Sequence, residues 1–356
     1  MGWIFESACG TFEKHRMLWD AVNQSRGNHI LLDSMFVGPL VQYFGNKDVL
    51  LGVSSLEARK GLILLTQLRR GFWQTFDPAQ APMGLVLFEN RDCCAEQLTD
   101  LLQAIPGYAL GLSLTRQDPD YTVFSTHTDV TRSEFDSYVK TARVTVAGSF
   151  DQYWSTRGKD LVSNILRRRR RLEQQKIECS LVIDREPGCV AECISEYSSL
   201  EETGWKGKEG TAVSEANAQG RFYRDVLENF CEVGEGVIFR LKFNGKTVAS
   251  QLGLQRDGML ILLKMAYDEQ FRDYSPGFLL QQEMFRSFFT EGKVKVIEFY
   301  GRVREGWTLK WTNEVRTMYH VNCYRHSWIR RVRQWLKQSS LSSSKERPAE
   351  CTAGSE

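Results

Sequence analysis

The sequence predicts an α/β protein of two domains, and three observations lead there. At 356 residues the chain exceeds what one compact core of ordinary size accommodates. Short apolar runs bounded by turn residues alternate with segments whose apolar residues recur at helical spacing. Asn244-Gly245 stands between two strand-like runs, and that dipeptide makes a tight hairpin turn.

In order, Val49-Leu50-Leu51-Gly52-Val53, Gly61 to Leu65 and Met83 to Phe88 read as strands, and Ala95 to Leu102 has the apolar spacing of a surface helix. Asp77-Pro78 and Asp118-Pro119-Asp120 punctuate this first part as turns. From Gln152-Tyr153-Trp154 a basic helix begins, followed by a strand at Cys179 to Ile183, a helix from about Cys189 to Leu200 and another over 213–232. Three strands are expected over 236–267, then a helix carrying Phe278-Leu279-Leu280, Met284-Phe285 and Phe288-Phe289, then a strand from Val294 to Tyr300. The tail from Gln338 to Glu356 is Ser-rich with almost no bulky apolar residue, and disorder is expected there.

Composition narrows the partners. Hydrophobic residues at 42% and charged residues at 25% are ordinary for a soluble globular protein. Lys+Arg 46 against Asp+Glu 44 predicts no polyanionic partner from global charge, so a basic surface must be local. The nine cysteines form no C-x-x-C pair, which argues against structural zinc and a secreted disulfide framework, and no metal is expected. The N-terminus lacks the charge and apolar run of a signal peptide, and no apolar stretch approaches the roughly 20 residues needed to cross a bilayer. A cytoplasmic location is expected.

Arg272-Asp273-Tyr274-Ser275-Pro276-Gly277, between a strand-like run and a helix-like one, has the form of an anion site. Pro276 loses nothing in a first helical turn, Gly277 permits close approach to the backbone, and a helix N-terminus presents unbonded N–H groups. The string resembles the acyl-CoA pyrophosphate loop of the GNAT acyltransferases, Gln/Arg-x-x-Gly-x-Gly/Ala, with Ser275 in place of the first glycine. The wider string from Ala266-Tyr267-Asp268-Glu269 through Leu280 resembles the two-lobed GNAT proteins associated with cellulose and exopolysaccharide biosynthesis, which are similar to Fem-type aminoacyl transferases. Gly204-Trp205-Lys206-Gly207 and Leu309-Lys310-Trp311 belong to the same resemblance, which covers about 151–325.

The resemblance implies an α/β (α+β) fold of tandem GNAT-like lobes, each a mixed, mostly antiparallel sheet flanked by helices. It sets a degenerate lobe at 1–150 and an acyl-CoA-binding lobe at 151–337, beside the disordered tail that composition predicts at 338–356. It further implies acetyl-CoA or another acyl-CoA as co-substrate, held by Lys264, Met265 and Ala266 along a strand and by Arg272, Asp273, Tyr274, Ser275, Pro276 and Gly277 in the loop. The implied activity is direct acyl transfer to an amine or hydroxyl of a cell-envelope or exopolysaccharide precursor.

Chemistry of that kind needs a base and a proton donor. Glu298, a carboxylate on an otherwise apolar strand, and Asp268, at a strand end, are the candidate bases; solvent exposure or a salt bridge, and a local turn cap, are their structural readings. Tyr300 is the candidate donor to a departing thiolate, or else packing. Trp205 and Lys206 could line an acceptor pocket, as could Lys310. Arg167 to Arg171 advance about 100° each along a helix and circle its axis, so they read either as a solvated face or as contacts to an anionic acceptor or tRNA. Trp328, Ile329, Val332, Trp335 and Leu336 with Arg330, Arg331, Arg333 and Lys337 make an amphipathic helix that docks on its own domain or lies on an anionic membrane. Two alternatives remain beside the acyl-CoA reading: a Fem-like transferase drawing on aminoacyl-tRNA, and a non-catalytic GNAT-fold regulator or scaffold.

Overall fold

The computed structural model describes residues 2–54, 60–89, 94–121, 132–202, 213–214 and 216–345. Trp205 and Lys206 lie outside these residues. The first lobe runs β1 (Trp3–Ser7), α1 (Ala8–Ser25), α2 (Ser34–Phe44), β2 (Leu50–Ser54), β3 (Gly61–Arg69), β4 (Phe72–Thr75), β5 (Val86–Phe88), α3 (Cys94–Ala104), β6 (Gly111–Gln117) and β7 (Ser133–Thr145). Two helices follow, α4 (Phe150–Ser155) and α5 (Lys159–Gln174). The second lobe then runs β8 (Cys179–Asp184), α6 (Val190–Glu202), α7 (Ala218–Glu232), β9 (Gly236–Phe243), β10 (Lys246–Arg256), β11 (Met259–Tyr267), α8 (Pro276–Glu291), β12 (Val296–Glu298), α9 (Thr308–Trp311) and β13 (Glu314–Tyr324). The described residues close with α10 (Ser327–Lys345), which carries helix past Gln338 into the segment expected to be disordered.

Apart from β5 and α9, the two lobes repeat one order of elements, and in each a single parallel pair flanks the crossover helix: β4 with β6, and β11 with β12. The other recorded pairings are antiparallel. The closing strands are exchanged. β7 pairs with β12 of the second lobe, and β13 returns to lie between β6 and β7, so the lobes share one continuous sheet.

Local chemistry fixes the ends of several helices. The Asp33 carboxylate accepts from Met35 N–H at the start of α2, Asn217 from Gly220 N–H at α7, and Ser149 with Gln152 forms a capping box at α4. Strand alternation then sorts side chains between two faces. On β3, Leu62 and Leu64 join a core shared by α1, α2, α6 and α7, while Ile63 and Leu65 face α3. On β11, Ile261 joins that shared core, while Leu260 and Leu262 pack under α8 with Phe285 and Phe288.

The strand expected from Val294 to Tyr300 is shorter than its sequence suggests, spanning Val296–Glu298. Tyr300 takes φ 47, and the Gly301 N–H turns back to the Phe299 carbonyl at 2.6 Å, which carries the backbone out of the sheet.

Candidate active site

β11 and β12 pair only at Met259↔Val296, Leu260↔Ile297 and Ile261↔Glu298. Beyond that point β12 has ended and β11 continues to Tyr267, so the strands part. In the gap lies a cavity of ≈350 Å³ lined by Leu262, Leu263 and Lys264 on one side and Phe299 to Arg302 on the other. Arg116, Tyr138 and Val139 of the first lobe close it. The Lys264 ammonium sits 3.2 Å from Gln219 Oε1 and 3.8 Å from Glu201 Oε2, over the Tyr223 ring. Arg116 is paired with Asp77 at 2.8 Å. Arg302 is exposed.

Past the first lobe's own parallel pair, the segment before β5 lies against β6. Gly84 N–H donates to the Arg116 carbonyl at 3.1 Å, and a Cβ on Gly84 would fall 2.0 Å from the Thr115 carbonyl oxygen. Only glycine lets that segment press so closely on β6.

The loop before α8 forms the second part of the site. Glu269–Tyr274 is a 3₁₀ turn, Ser275 is left-handed at φ 51, and Pro276 opens the helix. The Gly277 N–H has no acceptor among the described residues. Beside it, a cavity of ≈120 Å³ is lined by Ser275, Phe278, Asn164, Arg168 and Lys310. Arg168 Nε is buried there without a hydrogen-bond partner, and Lys310 Nζ lies 5.7 Å from the Phe278 ring centre. A helix N-terminus with two cations and an unused donor suits a phosphate or pyrophosphate. Met265 and Trp307 stand against Gly277, where a Cβ would meet Met265 Sδ at 3.3 Å and Trp307 at 3.5 Å.

The residues singled out in the sequence fall in different places. Lys264 lines the large cavity, Met265 borders Gly277, and Ala266 is buried opposite Ser250. Arg272 is exposed. Asp273 turns to Arg171 at 3.7 Å, and the Tyr274 hydroxyl donates to Gln175, so both face α5. Lys310, considered for the acceptor, lies with Ser275 at the helix N-terminus. Asp268 caps the 3₁₀ turn through Gln270 N–H at 3.0 Å and pairs with Lys246 at 3.0 Å, which matches its structural reading.

Glu298 is fully buried, and it does not line the cavity. Its Oε2 accepts from Arg316 at 2.8 Å, and its Oε1 has no hydrogen bond. Burial drives this carboxyl up to about 7, with Arg316 offsetting part of the effect. Tyr300 lines the cavity, but its hydroxyl is engaged: it donates to Asp118 Oδ2 at 2.9 Å and lies 2.9 Å from His29 Nε2. Leu31 N–H donates to His29 Nδ1, so the neutral ring carries its proton on Nε2 and gives it to Tyr300. Burial lowers the His29 pKa to about 3 despite the nearby Asp118. Arg316 Nη2 reaches Asp118 at 2.6 Å, and its bonds and charge outweigh burial to hold that carboxyl below the ordinary range.

Sequence reasoning passed over Arg316, His29 and Asp118. Asp118-Pro119-Asp120 carries the signature of a turn, and the partners of these three residues are far away in the chain. Trp307 and Arg168 were equally hidden, one among scattered aromatics and the other inside a run of five arginines.

Residues 159–307 match the family described as "Acetyltransferase (GNAT) domain". FemX superposes with a TM-score of 0.55 at 9% identity, covering 87% of this chain and 96% of that one. L-PGS from Bacillus licheniformis gives 0.52 at 15% identity, covering 87% and 92%. The C-terminal DUF2156 domain assigned to a lysylphosphatidylglycerol synthetase of Agrobacterium fabrum gives 0.54 at 12% identity, covering 82% and 91%. At these identities the likeness is one of fold. No curated protein matches the chain in sequence.

Proposed function

We propose that the chain is a transferase that moves an acyl group from acyl-CoA to a nucleophile held between the lobes. The observation that carries this reading is the parting of β11 and β12 over a ≈350 Å³ cavity. Lys310, Arg168 and the Gly277 N–H would hold the pyrophosphate. A bound acyl-CoA supplies a thioester, whose carbonyl carbon is the electrophile. Past Ile261 β12 no longer pairs with β11 among the described residues, so a backbone N–H on that edge near Met265 would meet a carbonyl oxygen as charge builds on it. Leu262, Phe299 and Met318 present apolar surface to the same space.

Neither a carboxylate nor an imidazole lines this cavity among the described residues, so positioning and desolvation are the main contributions we assign to the protein. Arg302 and Lys264 favour an acceptor that carries an anionic group next to its nucleophile. A phosphate-bearing precursor of an envelope glycan or exopolysaccharide meets that description. A second reading, transfer from aminoacyl-tRNA, draws support from the exposed Arg167 and Arg170 on α5, the helix that shares the ≈120 Å³ cavity.

Calorimetry with acetyl-CoA and CoA tests the carrier. The expected result is micromolar binding that weakens roughly tenfold or more in Lys310→Glu, which reverses a charge at the anion site. A folded wild type that binds neither compound overturns the acyl-CoA reading, and binding indifferent to Lys310→Glu removes the site assigned here.

A further inference from the structure

The outer side of α10 does not belong in water. Trp328, Arg331, Val332 and Trp335 are spaced i, i+3, i+4 and i+7 and share one side of the helix. Trp328 is 59% exposed, Val332 49% and Trp335 64%. Two indoles left this open on one helical face are unusual in a soluble protein, where large exposed apolar groups are scattered singly. The opposite side of the helix fixes the orientation: Ile329 is buried, and Arg333 Nη1 donates to the Tyr324 hydroxyl of β13 at 2.8 Å.

The apolar surface continues onto the sheet. A cavity of ≈320 Å³ under α10 is lined by Leu68, Phe72, Trp73, Leu112, Val332 and Leu336. Leu68 and Leu336 at its edge are 64% and 55% exposed. On α10 and at the end of β3 the exposed charges among the described residues are cations, while the cavity-lining Arg333 is paired with Asp136 at 3.5 Å. Arg69 and Arg70 follow Leu68, Arg331 stands between the tryptophans, and no Asp or Glu occurs from Arg325 to Lys337.

We propose that this face, α10 with the β3–β4 turn, docks on an anionic lipid bilayer. The indoles would sit at the level of the headgroups, where an aromatic ring with a polar N–H is favoured. Arg69, Arg70 and Arg331 would meet lipid phosphates. The apolar cavity is open at the same edge and would take the end of an acyl chain or an apolar side of the lipid surface. The binding is peripheral, through one face of a helix that is otherwise packed on its own protein.

Flotation of the full chain with vesicles tests the proposal. One set is phosphatidylcholine alone, and the other contains roughly one third phosphatidylglycerol. The expected result is flotation with the anionic vesicles only, reduced by salt, and at least about tenfold weaker in Trp328→Ser/Trp335→Ser. Both positions are exposed, so the variant should keep the wild-type melting temperature and circular dichroism. Three results would overturn the proposal. One is a folded wild type that stays with the soluble fraction. Another is flotation that Trp328→Ser/Trp335→Ser leaves unchanged. The last is a wild-type dimer that becomes a monomer in the variant without any effect of lipid, which would make a second copy of the chain the occupant of this face. None of these outcomes depends on whether the chain binds acyl-CoA.

Discussion

At the scale of single residues, the most consequential group is a carboxylate that takes no direct part in the cavity. Glu298 is held near neutrality by burial, and its carboxyl is raised from the ordinary 4.5 to about 7 in the folded state. A raised carboxyl favours the folded state at low pH, and that stability is lost as the pH rises from the unfolded value through the folded one. His29 acts in the opposite direction, because its lowered pKa costs stability as the pH falls below 6.5. The two slopes oppose one another between about pH 4.5 and 6.5. Glu298→Gln keeps an oxygen for Arg316 and removes only the titration. Its stability relative to wild type should therefore improve from about pH 5 to about pH 8, by a difference on the order of 2 kcal/mol in paired urea melts. An equal shift at both pH values would mean that Glu298 does not titrate in this range. Little of this was legible beforehand. An acidic residue in an apolar strand signals an unusual carboxylate, but nothing near Glu298 in the chain points to Arg316, Asp118 or His29, which arrive from other strands and from the first lobe.

At the scale of elements, the β-loop-α unit around Ser275 was readable because its determinants are local. An apolar strand, a turn residue before Pro276 and apolar residues at helical spacing sit within some thirty residues of one another. The orientation of the loop was not readable, since Asp273 and Tyr274 bond to α5 and that helix lies about a hundred residues earlier. Ser275 occupies the left-handed region at φ 51, where a side chain costs about 1 kcal/mol, and its hydroxyl makes no capping bond. Ser275→Gly should therefore stabilise the chain by roughly 0.5–1 kcal/mol, read as a higher urea midpoint at unchanged slope. Loss of stability would show that the hydroxyl has a role at the anion site. The same locality explains why the second lobe was traced from sequence more fully than the first. β9, β10 and β11 are joined by tight turns, whereas β6 and β7 are set apart and gain their shared neighbour, β13, from nearly the end of the chain.

At the scale of the whole molecule, two basic side chains span the lobes. Arg316 of β13 binds Asp118 and Glu298, and Arg256 of β10 reaches Asp33 at 2.8 Å and Glu235 at 2.6 Å. These pairs, together with a core that draws on α1, α2, α6 and α7, make the lobes one cooperative body. A fragment of residues 1–150 is accordingly expected to lack a cooperative thermal transition, because β6 and β7 have no contact across the place of β13. A sharp melt for that fragment would show that the first lobe folds alone. This exchange was not legible in the chain: Glu314 to Tyr324 mixes charged, polar and apolar residues, and its buried positions make sense only beside two strands of the other lobe.

The exchanged strand also sets a delay on synthesis. Roughly 180 residues separate the end of β7 from the end of β13, which a ribosome adding 5–20 residues per second delivers in about 10–35 s. Through that interval the first lobe to emerge has an open slot in its sheet, with two unpaired strand edges facing each other. Such edges are templates for pairing with a neighbouring chain. The lobe made first is thus sealed last, and crowding on a busy message, more than the stability of the finished protein, would govern how much of it aggregates.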